Sequence, residues 1–87
     1  MRYQVRYSSN AQKQLDNLEW RDYLIVYKRI LSLKDEPRPR GAIKLAGSDL
    51  QRLRIGNYRA IYDIDEKQKT ILVVRVARRS EDTYKGL

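Results

Sequence analysis

The stretch that most constrains this chain is Leu50-Gln51-Arg52-Leu53-Arg54-Ile55-Gly56-Asn57-Tyr58-Arg59-Ala60-Ile61-Tyr62-Asp63. Two runs rich in β-branched, aromatic and large aliphatic residues flank Gly56-Asn57, a two-residue pair suited to positive φ, so the segment reads as a β-hairpin. With Gly56-Asn57 as the loop, Ile55 faces Tyr58, Arg54 faces Arg59 and Arg52 faces Ile61. Side chains alternate along a strand, so Arg52, Arg54 and Arg59 share one face. Like charges placed opposite each other destabilise a strand pair. A sequence selected only for folding avoids this, and the arrangement points to a face that meets an anion.

Charge supports that reading. Among 87 residues, 19 are Lys or Arg and 11 are Asp or Glu, giving a net charge of +8. The excess is equal in the segments 1–49 and 50–87, so it belongs to the folded domain and not to a tail. Such a surface favours polyanions, nucleic acid first. Cysteine and histidine are both absent. Disulfide and thiolate chemistry are thereby excluded, and the usual general base and commonest metal ligand are missing. No cofactor or metal is expected. No apolar run is long enough for a membrane span and the N-terminus has no signal-like apolar core, so a cytoplasmic protein without a membrane partner is expected.

The remainder reads as one domain over residues 1–87. Tyr3, Val5 and Tyr7 alternate with polar residues in an N-terminal strand. Ser8-Ser9-Asn10 starts a short helix with Ala11, Leu15 and Leu18 on one side, ending near Asn17-Leu18. A second helix spans about residues 19–34, with a stripe of Trp20, Leu24, Tyr27 and Leu31 widened by Val26, Ile30 and Leu33. Pro37 and Pro39 end it. Residues 42–49 read as an ordered loop, 50–55 and 58–64 as the hairpin strands, and 69–76 as a buried central strand. Residues 77–84 leave that strand for a short helical turn. The fold class is α+β: an antiparallel sheet of about four strands, order β-α-α-β-β-β, with a helical hairpin on one face and the other face open.

These residues resemble the RelE/ParE superfamily of toxins, RelE-type in particular. The resemblance rests on Ser9-Asn10-Ala11-Gln12-Lys13-Gln14-Leu15, on Pro37 with Lys44-Leu45-Ala46-Gly47, on Arg52 through Tyr62, and on Val76-Ala77-Arg78-Arg79 followed by Tyr84. The hairpin motif marks the superfamily without separating its RNases from the gyrase-poisoning ParE branch; Arg79 and Tyr84 are similar to the RelE catalytic set. The resemblance implies an mRNA interferase that enters the ribosomal A site and cleaves the codon there. It also implies a cognate antitoxin, in a complex that binds its own operator DNA. Arg59, Arg79 and Tyr84 would be catalytic; Arg52, Arg54 and Lys44 would bind RNA. The Arg79-to-Tyr84 segment is about one residue shorter than in the best-known member.

The chemistry can be examined beside the family. Attack by a 2′-hydroxyl needs a base, stabilisation of the phosphorane charge, and accommodation of the departing 5′-oxygen. Guanidinium forks suit the second task. Arginine stays protonated, so Arg52 and Arg54 are poor bases. Tyr84, its pKa lowered by neighbouring cations, is the expected base, with Glu81 or Asp82 as fallback. Two other functions fit the same residues: a ParE-like gyrase inhibitor without nuclease activity, and a non-catalytic nucleic-acid-binding module.

Overall fold

The computed structural model describes residues 2–79. The chain enters through β1 (Gln4–Tyr7) and turns into α1 (Ser9–Asp16). Ser8 caps that helix: the Ala11 N–H donates to Ser8 Oγ at 3.1 Å, satisfying one of the donors a helix start leaves open. Helix α2 (Trp20–Leu31) follows, and a single 3-10 turn, Ser32–Lys34, tightens its end. Strands β2 (Ala42–Lys44), β3 (Gln51–Ile55), β4 (Tyr58–Asp65) and β5 (Thr70–Arg78) complete the described elements.

The sheet is α+β as expected but has five strands, in the order β1-β5-β4-β3-β2. Two details differ from the sequence reading. The expected loop at 42–49 contributes the short edge strand β2, antiparallel to β3. A strand of that length needs only a free neighbour to bond, so it leaves little trace in composition. The sheet is also mixed, because β1 runs parallel to β5. The αα-hairpin and three further strands separate these two in sequence, and nothing local fixes their relative direction. The C-terminal helical turn expected at 77–84 falls largely outside the described residues; β5 itself continues to Arg78.

Both helices cover one face of the sheet. The core between the layers joins Ala11 and Leu15 of α1, Val26 and Ile30 of α2, and Leu33 to Leu53, Tyr62, Ile71 and Val73. Helix α2 is rotated from the expected stripe. Trp20 is 66% exposed and Leu24 and Leu31 are 40% and 38% exposed, while Val26, Ile30 and Leu33 are sealed. The buried set has the same i, i+4, i+7 spacing as Trp20, Leu24, Tyr27 and Leu31. Apolar residues therefore occur around most of the helix, and periodicity alone does not choose the buried side.

The hairpin has the register read from sequence: Ile55 opposite Tyr58, Arg54 opposite Arg59, and Arg52 opposite Ile61. Gly56 takes φ +58° while Asn57 stays at negative φ, the pattern of a type II′ turn. Gln51, Leu53 and Ile55 point to the helices; Arg52 and Arg54 point away.

Candidate functional site: an arginine face on the open side of the sheet

The face of the sheet turned away from the helices is built by alternation. On β3 it carries Arg52 and Arg54; on β4 it carries Arg59, Ile61 and Asp63. At the hairpin tip Arg54 and Arg59 are register partners. The chain returns to this tip at the end of β5. There the Arg79 N–H donates to the Asn57 carbonyl at 2.7 Å. Arg79 Nη1 donates to the Gly56 carbonyl at 3.3 Å, and Arg59 Nη2 donates to the Arg79 carbonyl at 3.0 Å. Main-chain carbonyls thus hold the two arginines side by side.

An open cleft of about 510 Å³ lies at this point, lined by Asn57, Arg59, Arg78 and Arg79. Among the described residues its lining has three cations and no carboxylate. A slightly larger depression, about 580 Å³, sits at the other end of the sheet and mixes Arg38, Lys44 and Lys67 with Asp49, Asp63, Asp65 and Glu66. Its charges are matched: Arg38 pairs with Glu66 at 2.9 Å and Lys44 lies 3.8 Å from Asp49. The cleft at the hairpin tip is therefore the better candidate for an anion, because it gathers three guanidinium groups in one wall.

The structure brings Arg54, Arg59 and Arg79 to one end of the arginine face and sets Arg52 farther along it. Lys44 stands apart. It is the register partner of Gln51, so it belongs to the helix-facing side at the sheet edge, whereas Ile43 stands beside Arg52 on the open side. Tyr84, Glu81 and Asp82 lie outside the described residues.

One residue of this face escaped the sequence reading. Strict alternation from Ile71 and Val73 would send Arg75 toward the helices. A β-bulge interrupts the β4–β5 pairing: Tyr62 pairs with Val73, yet Ile61 pairs with Arg75, leaving Val74 extra. The bulge moves Arg75 to the open face and returns Val76 to the core. The available signal was a lone arginine inside an apolar run, a residue type seldom buried without a partner.

The described tyrosines are committed elsewhere. The Tyr58 hydroxyl donates to Asp22 Oδ2 at 2.6 Å, which raises its pKa by favouring the protonated phenol. The Tyr62 hydroxyl donates to the Pro37 carbonyl at 2.7 Å, and burial pushes its pKa up to about 12. Burial drives Tyr7 up further, aided by Tyr27 and Tyr23. The Tyr3 hydroxyl donates to Glu66 Oε1 at 2.6 Å. A phenol with a raised pKa is a weak proton acceptor at neutral pH. The described part of the arginine face is thus an electrostatic surface first, suited to holding phosphate oxygens and stabilising charge on them. Among the described residues no group of acidic, cysteine or histidine side chains forms a metal site, and no helix is long and apolar enough to cross a membrane.

The family described as "ParE toxin of type II toxin-antitoxin system, parDE" matches residues 5–83. Similar solved structures include the toxin–antitoxin complex RelBE2 from Mycobacterium tuberculosis, with 29% identity over 91% of this chain and 100% of that one, TM-score 0.82. The archaeal RelE–RelB complex from Pyrococcus horikoshii shares 30% identity over 91% of this chain and 97% of that one, TM-score 0.76. The chromosomal ParDE system from P. aeruginosa, at 13% identity over 87% and 95% of the two chains and TM-score 0.72, shares the fold. No curated protein matches. The protein belongs to the ParE toxin family of type II toxin–antitoxin systems, within the RelE/ParE superfamily of toxins.

Proposed function

We propose that this toxin is a ribosome-dependent, metal-independent endoribonuclease that cleaves mRNA in the A site and so inhibits translation. The observation that carries the reading is the convergence of Arg54, Arg59 and Arg79 at the hairpin tip, beside a cleft walled by cations. In the reaction the 2′-oxygen attacks the adjacent phosphorus and the bond to the 5′-oxygen breaks. The departing 5′-oxygen takes a proton from water, and the products are a 2′,3′-cyclic phosphate and a 5′-hydroxyl. Arg59 and Arg79 stabilise the charge that grows on the phosphorane oxygens, and Arg79 also faces the departing 5′-oxygen. Tyr84 takes the 2′-hydroxyl proton in this reading, with Glu81 or Asp82 as its substitute. Arg52 and Arg54 hold the RNA backbone, and Lys44 is a peripheral RNA contact.

With arginine as the prevailing group on this face, proton transfer is weak and positioning carries much of the rate. The ribosome supplies it by holding the mRNA in an in-line geometry. Naked RNA should therefore be cut poorly. A cognate antitoxin keeps the toxin silent, as the complexes of the M. tuberculosis and P. horikoshii relatives suggest. Its acidic side chains are expected against Arg52, Arg54, Arg59 or Arg79, and the toxin–antitoxin complex is expected to bind its own operator DNA. The site of action is the cytoplasm.

The match to the ParE family favours a second reading, inhibition of DNA gyrase without nuclease activity. Primer extension on translated mRNA, run beside a gyrase supercoiling assay, separates the two. Codon-spaced stops with unimpaired supercoiling support the nuclease. Intact mRNA with blocked supercoiling replaces it with the gyrase reading.

A further inference from the structure

Ile61 presents an anomaly. It lies on the open face, outside the core between sheet and helices, yet it is only 4% exposed. Its register partners are Arg52 on β3 and Arg75 on β5, so two arginines flank it from opposite sides. Both are half-buried, and the Nε of each is shielded from solvent with no hydrogen-bond partner among the described residues. A long cationic side chain lies in this way when its aliphatic stem covers apolar surface and its head stays near water.

We infer that Arg52 and Arg75 close over Ile61 and form a second phosphate subsite, in which Arg75 binds the backbone of a single-stranded RNA. The proposal rests on the RNA-directed reading above. Two strand spacings separate the Cα atoms of Arg52 and Arg75, about 10 Å. Guanidinium groups folded inward over Ile61 come closer than that and can grip one phosphodiester from two sides. Neither arginine has an ion pair with a described residue. A phosphate oxygen is a matched acceptor for the outer Nη atoms of such a fork, not for the shielded Nε. Along β4, Ile61 is two residues from Arg59, about 7 Å. That step is within the reach of one nucleotide, so a strand with its reacting phosphate at Arg59 and Arg79 can lay a neighbouring phosphate on Arg52 and Arg75. The β5 bulge acquires a purpose here: without it Arg75 would point into the core.

The experiment measures binding of a short mixed-sequence single-stranded RNA to the full-length toxin across a salt series. Variants are Arg75→Gln, Arg75→Lys and, on the helical side, Lys13→Gln. Thermal melting confirms that each is folded. Arg75→Gln should weaken binding about tenfold at low salt and reduce the salt slope by about 0.7, the loss of one phosphate contact on a single strand. Arg75→Lys should retain the slope and lose part of the affinity, because it keeps the charge without the fork. Lys13→Gln should change neither. A folded Arg75→Gln with wild-type slope and affinity overturns the subsite. So does an Arg75→Gln that weakens only antitoxin capture, since the face would then be a protein contact. Primer extension with the wild-type protein is read separately. Uncut mRNA together with the Arg75-dependent slope refutes the nuclease and leaves the subsite standing.

Discussion

The Tyr58 hydroxyl donates to the Asp22 carboxylate at 2.6 Å, joining the tip of the β3–β4 hairpin to the first turn of α2 across 36 positions of sequence. Arg78 lies over the same ring, 5.7 Å from its centroid. The tip that carries Arg54 and Arg59 is therefore anchored from the opposite face of the sheet. Tyr58→Phe keeps the ring and leaves Asp22 without this donor. A hydrogen bond to a charged group is worth about 1.5–3 kcal/mol, so a loss of that order is expected in urea unfolding, with an unchanged m value. Asp22→Asn keeps an acceptor and should cost less. A Tyr58→Phe protein as stable as wild type would show that the tip is held by packing alone.

Alkaline pH should unfold the protein through its buried phenols. Tyr62 is fully buried and its pKa is pushed up to about 12 by burial, against an opposing pull from Arg38 and Arg29. The folded state thus resists ionisation more than the unfolded chain does. The stabilising contribution is intact below about pH 10 and is lost as pH rises through the folded pKa near 12. Each such group adds a slope of up to about 1.4 kcal/mol per pH unit in that window. Tyr62→Phe forfeits the bond to the Pro37 carbonyl and should be less stable at neutral pH, yet lose stability less steeply above pH 10. Urea midpoints across the alkaline range would measure both effects; an undiminished slope would assign the alkaline loss to other groups.

The turn that sets the register makes its own prediction. Gly56 sits at φ +58°, and a Cβ built there meets nothing within 4 Å. Space is available, so Gly56→Ala carries backbone strain alone, about 1–2 kcal/mol. It should lower the melting temperature while leaving the hairpin pairing unchanged. Amide exchange at Leu53, Ile55 and Ala60, whose register pairs span the hairpin, gives the check: fast exchange there beyond the global loss of stability would mean the register itself depends on the glycine.

How much was legible in the sequence depended on how local the cause was. The Arg54–Arg59 pairing follows from two residues of turn and strict alternation, and the structure has it. The position of Arg75 depends on a one-residue bulge between strands whose pairing no short-range rule specifies. The rotation of α2 depends on whether the sheet receives Val26 and Ile30 or Trp20 and Leu24, and the helix itself offers both. The parallel pairing of Val5 with Ile71 likewise joins chain segments with no common local signal. Tyr84, Glu81 and Asp82 follow β5 outside the described residues, and their place in the site rests on sequence and resemblance alone.

The final prediction separates binding from chemistry on the arginine face. The Arg59 guanidinium is oriented by the main-chain carbonyl of Arg79, and the Arg79 N–H is held by Asn57. Neither bond involves the Arg79 side chain, so Arg79→Ala removes one guanidinium and leaves Arg59 in place. A group used only in the transition state lowers the rate of the chemical step, while one used for uniform binding raises KM. Arg79→Ala should therefore bind ribosomes nearly as wild type and lower single-turnover cleavage roughly a hundredfold or more, as expected for a lost oxyanion-type donor. Arg52→Ala should instead weaken ribosome binding and flatten its salt dependence. Tyr84→Phe removes only the phenol, so an undiminished rate would pass the role of base to Glu81 or Asp82. Full activity in Arg79→Ala would remove Arg79 from the catalytic set. If Arg59→Ala cleaved equally well, the arginine face would be a docking surface and the chemistry would lie with other residues.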